Sequence, residues 1–476
     1  MISRVEIHQG RYHDSVRLMQ ASKALQGVAG VTNALVAMAT ELNLSLLADM
    51  GFDMDTVVGV GPNDLLLAIH AESEEAVAAA HRALEEALTP KTDPSGGLDA
   101  PDPKTIGTAA KINGANVALL SVPGEHAFVE AMEALQDGMH VMIFSDNVPI
   151  SQEITLKQYG RDHGLLVMGP DCGTTIVNGL GLGFANAVQP GPVSMVGASG
   201  TGIQEMCALL DDAGVGVRHA LGTGSHDLSE DVGASSTLQA LEALDADPET
   251  GLIVVISKPP AAPVADTVRR VAAECATPVV ITFMGETTLE EGAGEVLDAL
   301  GLPRPVYGSW KVPDQDHRPG SVRGLFSGGT LRSEARHVAA PLLGEIGTSE
   351  EDDGHTFIDY GDDEYTQGRA HPMIDQTVRV ERLAAAGQDE SVGVVLMDVV
   401  LGYGSNADPA AELAPIIEMV VNRGVAVVVS LCGTTGDPQG RDAQAGVLND
   451  AGASVYLSNA AAALEAARLA TTRTSS

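Results

Sequence analysis

Aromatic side chains are scarce in this chain: they make up 3% of 476 residues, with a single tryptophan. Its cores must therefore be built from Val, Leu, Ile, Ala and Met, within a hydrophobic content of 44%. Cysteine is also sparse, and Cys172, Cys207, Cys275 and Cys432 form no CxxC pair. Their spacing indicates neither a disulfide framework nor a thiolate metal site, and it fits a reducing cytoplasm. Basic residues are few, 27 Lys and Arg against 64 Asp and Glu, so the net charge is −37. That balance argues against nucleic acid or an anionic membrane as partner. No apolar run reaches the ~20 residues needed to span a bilayer, and no signal peptide is read at the start. The His, Asp and Glu residues from His355 to Asp363 lack ligand spacing on a defined face, so no metal site is expected.

What is present is a repeated strand–turn–helix design. The length suits two to four globular domains. Residues 1–90 read as a small ferredoxin-like α+β module, with strands at Val5–His8 and Leu65–His70 and helices at Asp14–Leu25 and Ser73–Leu88. Lys91 to Lys104 is rich in Pro, Gly and Asp and reads as a linker. From Thr105 onward apolar strands alternate with helices, which predicts α/β architecture with successive doubly wound parallel sheets. The expected divisions are a truncated Rossmann-like domain at 105–190, a second domain at 191–305, a linker region at 306–354 and a last domain at 355–476.

Two turns carry candidate chemistry. Val193–Val196 is an apolar strand, Gly197–Gly202 a Gly/Ser/Thr turn, and a helical pattern follows. Helix N-termini expose unpaired N–H groups and positive dipole ends, which suit phosphate or carboxylate. Ser199, Gly200, Thr201 and Gly202 are the candidate contacts. Small residues for βα packing alone would read the same way. Val394–Leu401 repeats the design, followed by Gly402, Gly404, Ser405 and Asn406, with Asp408 or Asn406 as N-cap and Pro409 opening a helix. Phe326–Leu331 has a similar strand–SGGT–helix pattern, either a third anion turn or only an N-cap. Gly433, Thr434 and Thr435 follow a strand at the carboxyl edge of a sheet, where open α/β sheets bind ligands. Lys258 at a strand end could neutralise an anion or simply reach solvent. His226 beside Asp227 could act as general acid or base, or be a turn residue. Cys172 could be a reactive thiol, although a buried small hydrophobe has the same appearance.

On these segments the chain resembles the FdrA family, which is related to succinyl-CoA synthetase. The similarity rests on Met168-Gly-Pro-Asp-Cys-Gly173, Gly197-Ala-Ser-Gly-Thr-Gly202, Gly222-Thr-Gly-Ser-His-Asp227 and Phe326-Ser-Gly-Gly-Thr-Leu331. It implies a CoA-binding-like domain and two flavodoxin-like ligase domains fused in one chain, with two helix ends facing a shared phosphate site. The departures are as informative. Gly107-Thr-Ala-Ala is a poor substitute for a glycine loop that cradles CoA. No Gly-His-Ala-Gly phosphohistidine segment occurs between Thr282 and Arg332, and Ile256-Ser-Lys-Pro-Pro260 stands where the ligase has its supporting glutamate loop. No nucleotide-binding GxxxxGK[ST] loop is present.

The resemblance therefore implies a subunit of an oxamate carbamoyltransferase of purine (allantoin) breakdown. It would hold carbamoyl phosphate or phosphate, and a small carboxylate, between the helices starting near Ser199 and Gly404, with Lys258 and His226 as catalytic candidates. Other protein subunits of the pathway are expected as partners, in a homo- or hetero-oligomer. One alternative is an NDP-forming acyl-CoA synthetase, with CoA or nucleotide as cofactor only in that case. Another is a non-catalytic scaffold.

Overall fold

The computed structural model describes residues 2–11, 13–54, 57, 59–89, 103, 105–313, 317–366 and 369–471. The expected linker at 91–104 lies, apart from Pro103, outside them. The chain forms two compact units, residues 1–101 with 360–375, and residues 102–359 with 376–476.

The first unit contains β1 (Ile2–His8), α1 (Ser15–Gln26), β2 (Val31–Met38), α2 (Glu41–Asp49), β3 (Leu65–Ala71) and α3 (Glu74–Leu88). Its sheet has the order β1-β3-β2, with β3 antiparallel to both neighbours. This is a split β-α-β layout with three strands among the described residues, where a full ferredoxin-like sheet has four. Ser73 caps α3 as expected, accepting from Ala76 N, and Glu74 and Glu75 follow in the first turn. Leu18, Leu25, Leu67, Ile69 and Val77 build the core between sheet and helices.

The second unit carries three sheets. The first is parallel, in the order β4-β5-β6, and combines α4 (Ile106–Asn113), β4 (Val117–Leu120), α5 (Gly124–Gln136), β5 (His140–Ile143), α6 (Ile150–Asp162) and β6 (Val167–Met168). The second is built from β7 (Thr174–Val177), β8 (Leu180–Gly183), β9 (Val193–Ala198), α7 (Gly200–Asp212), β10 (Val217–Gly222), α8 (Ser235–Ala246), β11 (Leu252–Ser257), α9 (Ala262–Glu274), β12 (Val279–Phe283) and α10 (Leu289–Ala299). Its order is β12-β11-β9-β10-β7-β8. The central strands β9 and β11 are buried along their whole length, as strands covered on both faces must be. The β7–β8 hairpin was not expected. Its Asn178-Gly179 turn, with φ of 50° and 77°, carries the usual two-residue hairpin signal.

The third sheet has the order β13-β19-β18-β17-β14-β16-β15. It comprises β13 (Ser309–Trp310), β14 (Ser321–Phe326), α11 (Gly329–Leu343), β15 (Ile346–Gly347), β16 (His355–Asp359), α13 (Thr377–Gln388), β17 (Val392–Val400), α14 (Pro409–Val421), β18 (Ala426–Cys432), α15 (Arg441–Asp450), β19 (Ser454–Tyr456) and α16 (Asn459–Thr471), while the short α12 (Asp363–Thr366) belongs to the first unit. The region 306–354 is therefore not a linker. It supplies β14, an interior strand paired in parallel with β17 and β16, and the helix that follows it. Polar flanks on both sides hide that six-residue strand from a composition reading. No helix among the described residues is long and apolar enough to cross a membrane.

Candidate active site

Strand β9 ends at Ala198, and Ser199 caps α7 from an extended conformation, its Oγ accepting from Gly202 N at 2.9 Å. The amides of Gly200 and Thr201, in the first turn, have no intrahelical acceptor. Across from them β14 ends at Phe326, and the Ser327-Gly328-Gly329-Thr330 turn starts α11 with no side-chain cap. The two turns meet. Ser199 Oγ and Thr330 Oγ1 are 2.5 Å apart. A Cβ on Gly328 would stand 2.7 Å from Thr201 Oγ1, and one on Gly329 would stand 2.8 Å from Lys258 Nζ. At Gly328 the side-chain volume is taken by Thr201, and at Gly329 by the ends of Asp359 and Lys258. Helix N-termini α7 and α11 thus converge, with an ammonium beside them.

The α11 turn is fixed from below. Asp398, in the middle of β17, accepts from Ser327 N, Ser327 Oγ and Gly328 N at 2.8–3.1 Å. Arg379 Nη1 lies 3.1 Å from Asp398 Oδ1, and neither side chain is exposed. A buried pair of this kind holds a geometry more than it adds stability.

Lys258 follows β11, and Asp359, at the end of β16, is buried beside Gly329. Beyond Lys258 lies Asp171, in the turn after β6. Its backbone adopts a left-handed φ of 54°, uncommon for a non-glycine residue and frequent at functional sites. The residue is exposed to solvent, although neighbouring protein crowds its carboxyl. That crowding raises its carboxyl above the ordinary value and Asp146 adds to the rise, while the Ser225 hydroxyl, Lys258 and His226 oppose it. The 222–227 loop packs on this turn, with Gly224, at φ 86°, pressed against the Pro170 carbonyl. His226 is half exposed there, with Nδ1 3.5 Å from Glu153 Oε2.

One turn into each cradle helix is a buried glutamate. Glu205 on α7 accepts from Asn459 N at 3.0 Å, and Glu334 on α11 accepts from Asn459 Nδ2 at 2.7 Å and Leu289 N at 2.5 Å. Burial, and for Glu205 its neighbour Glu334, pushes the two carboxyls to about 8 and about 7.

The structure thus brings Ser199, Gly200, Thr201, Gly202, Lys258 and His226 to one region. The Gly404 turn is tied to other loops. There Gly402 N donates to Gln439 Oε1, Gln439 Nε2 donates to the carbonyls of Gly402 and Asn406, and Tyr403 bridges to Ala185. Asn406 Nδ2 donates to Glu412, and Ser405 Oγ is buried without a partner. The first amides of α14 are already taken, Ala410 N by Gln444 Oε1 and Ala411 N by Asp408 Oδ1. The helix start that meets α7 through a hydroxyl contact is that of α11. The Gly433 loop is likewise bound inward, with Thr434 N on Asp437, Thr434 Oγ1 on the Ala187 carbonyl, and Thr435 N and Oγ1 on Asp211. Cys172 is buried, and burial pushes its thiol up to about 11, which leaves it protonated and inert. Sequence reasoning missed Asp171, Asp398, Glu153 and Glu205. Asp171, inside the quoted Met168–Gly173 phrase, Asp398, inside Val394–Leu401, and Glu205, in the helical pattern after Gly202, lay in segments already singled out, and Glu153 did not.

Comparison with known proteins now bears on this geometry. The CoA-ligase family matches residues 325–469, the CoA binding domain family residues 188–285, and the AllF heavy metal-associated domain family residues 1–103. The uncharacterized protein YahF of Escherichia coli strain K12 is 37% identical over 497 residues, covering 95% of each chain. The chain belongs to the FdrA family. This FdrA-family protein is also similar to the alpha subunit of an ADP-forming succinate–CoA ligase from Methanothermobacter thermautotrophicus, at 27% identity over 48% of this chain and 70% of that one. A dinucleotide-forming acetyl-coenzyme A synthetase from Ca. Korarchaeum cryptofilum aligns over 80% of this chain and 87% of its own, at 16% identity and TM-score 0.34. The family is of the acyl-CoA synthetase and succinyl-CoA ligase type.

The metal implied by one of these families does not fit the residues present. The first unit of this FdrA-family chain has no cysteine in residues 1–103, and no group of three His, Cys, Asp or Glu among the described residues is arranged to hold a metal ion. For CoA, a pyrophosphate needs glycine-lined backbone at a helix start, and within the matched residues 188–285, rather than in the expected 105–190 domain, the Gly197–Gly202 turn before α7 has that form.

Proposed function

We propose that this protein is a transferase subunit that holds the phosphoryl end of an acyl phosphate between the N-termini of α7 and α11. In the finer reading the acyl phosphate is carbamoyl phosphate and the acceptor is oxamate, a small carboxylate, in allantoin breakdown. Other protein subunits complete the enzyme, and it works in the cytoplasm. The observation that carries the reading is the 2.5 Å meeting of Ser199 and Thr330, with Lys258 beside Gly329. The converging N–H groups and the ammonium stabilise the phosphate as it leaves, which is electrostatic catalysis by fixed donors. Positioning of the acceptor supplies the rest, and no covalent carrier is needed.

The test is a thermal-shift series with phosphate, carbamoyl phosphate, oxamate, CoA and ATP, each added separately. A ligand at ~100 times its Kd stabilises the fold by about 2.7 kcal/mol. The expected outcome is a shift with phosphate and carbamoyl phosphate and none with CoA. Matches to the CoA-ligase and CoA binding domain families favour an NDP-forming acyl-CoA synthetase as second reading. A shift with CoA or ATP, and none with phosphate, would establish it instead.

A further inference from the structure

Behind His226 lies a buried ionic cluster with one negative charge too many. Lys157 Nζ donates to Glu153 Oε1 at 2.7 Å, Asp227 Oδ1 at 2.7 Å and the Thr223 carbonyl at 2.9 Å. Glu153, Lys157 and Asp227 are all inaccessible to solvent or nearly so. One ammonium therefore serves two carboxylates. Asp227 has further donors in Ser236 N, Thr237 N and Thr237 Oγ1, at the start of α8. Glu153 has no comparable help. Its Oε2 is buried without a hydrogen-bond partner and stands 3.5 Å from His226 Nδ1. An uncompensated carboxylate in low dielectric calls for a positive charge or a donor. The imidazole is the group placed to supply both.

Nδ1 is the ring nitrogen on the Glu153 side, and Nε2 lies on the far side of the ring. His226 is half exposed and close enough to Asp171 for its charge to act on that carboxyl, as Lys258 does. Lys258 in turn borders the α11 turn. The imidazole thus lies on the same side as Asp171 and Lys258, beside the turn that starts α11.

We infer that Glu153 positions His226 as the base that takes the proton from the attacking nitrogen of the acyl acceptor. This rests on the acyl-phosphate reading above. The nitrogen lone pair attacks the carbonyl carbon, and a C–N bond forms. The carbon–oxygen bond to phosphate breaks, and phosphate leaves with the electron pair into the α7–α11 cradle. The nitrogen's proton passes to Nε2 of His226, and the resulting imidazolium neutralises the surplus charge at Glu153. The acceptor class is accordingly a nitrogen nucleophile that carries a proton.

The experiment follows the full-length chain by NMR titration of the His226 imidazole, alongside phosphate release from carbamoyl phosphate driven by oxamate. A carboxylate within 4–6 Å raises a histidine's midpoint, so Glu153→Gln should lower it by about one unit. In that variant Lys157 keeps Asp227 and the Thr223 carbonyl, so the cluster stays closed. His226→Gln, at a half-exposed position, should cut oxamate-driven release by about 10²- to 10⁴-fold while the thermal shift with phosphate is retained. The acid limb of the pH profile should move with the imidazole midpoint in Glu153→Gln. An unchanged midpoint, or full activity in His226→Gln, overturns the inference. If the native chain shows neither a phosphate shift nor oxamate-driven release, the proposed function itself has failed and takes this step with it.

Discussion

Ser199 and Thr330 lie 131 residues apart in the chain and share a hydroxyl contact of 2.5 Å. Ser199 also caps α7 through Gly202 N. Ser199→Ala removes the cap and the link together. The expected result is a loss of about 1 kcal/mol in denaturant unfolding, and at least a tenfold weaker phosphate affinity by calorimetry. An affinity equal to the native protein's would count against the cradle.

Gly328→Ala tests the convergence itself. Its φ of −122° tolerates alanine, so only the crowding with Thr201 opposes the change. The turns must part by some tenths of an ångström, at a cost of about 1–3 kcal/mol. Phosphate-induced stabilisation should vanish, while the far-UV circular dichroism stays native.

The Gly404 turn supplies the contrast. Asn406 accepts from Asp408 N and donates to Glu412, and these bonds belong to the entry of α14. Asn406→Ala should lower the melting temperature by a few degrees and leave phosphate affinity within twofold. A tenfold loss would restore that turn to the site.

Glu205 and Glu334 set a pH dependence. Both carboxyls lie above the ordinary 4.5, at about 8 and about 7. The folded state therefore binds their protons more tightly than the unfolded state. This contribution is complete below pH 4.5 and disappears as pH rises through 7 and 8. Melting curves between pH 5 and pH 8 should fall more steeply for the native chain than for Glu205→Gln, which mimics the protonated acid. Parallel slopes would place that proton elsewhere.

Asp398 and Arg379 form a buried pair beneath the α11 turn. Arg379→Met leaves the carboxylate without its cation, and a loss of about 3–5 kcal/mol is expected in urea unfolding. The double replacement Arg379→Met with Asp398→Leu should recover part of that stability but none of the phosphate binding, since Ser327 and Gly328 lose their anchor.

Local signals were readable in the sequence wherever a short span decides the outcome. The Ser199 turn, the Ser73 cap and the Pro409 start of α14 each depend on a few adjacent residues, and each occurs as read. The SGGT turn was visible too, but its pairing with Ser199 is a tertiary fact. The occupation of the α14 amides by Gln444, 34 residues away, leaves no local trace either. The region 306–354 was misread because polar flanks outweighed the short run Ser321–Phe326. The Glu153–His226 relation joins α6 to a loop of another sheet, beyond the reach of periodicity.

Because α7 and α11 belong to one polypeptide, their meeting is unimolecular. Subunits that each bring one helix come apart on dilution, whereas here the tether holds the second helix at a fixed effective concentration. Phosphate affinity per chain should therefore be the same at nanomolar and micromolar protein.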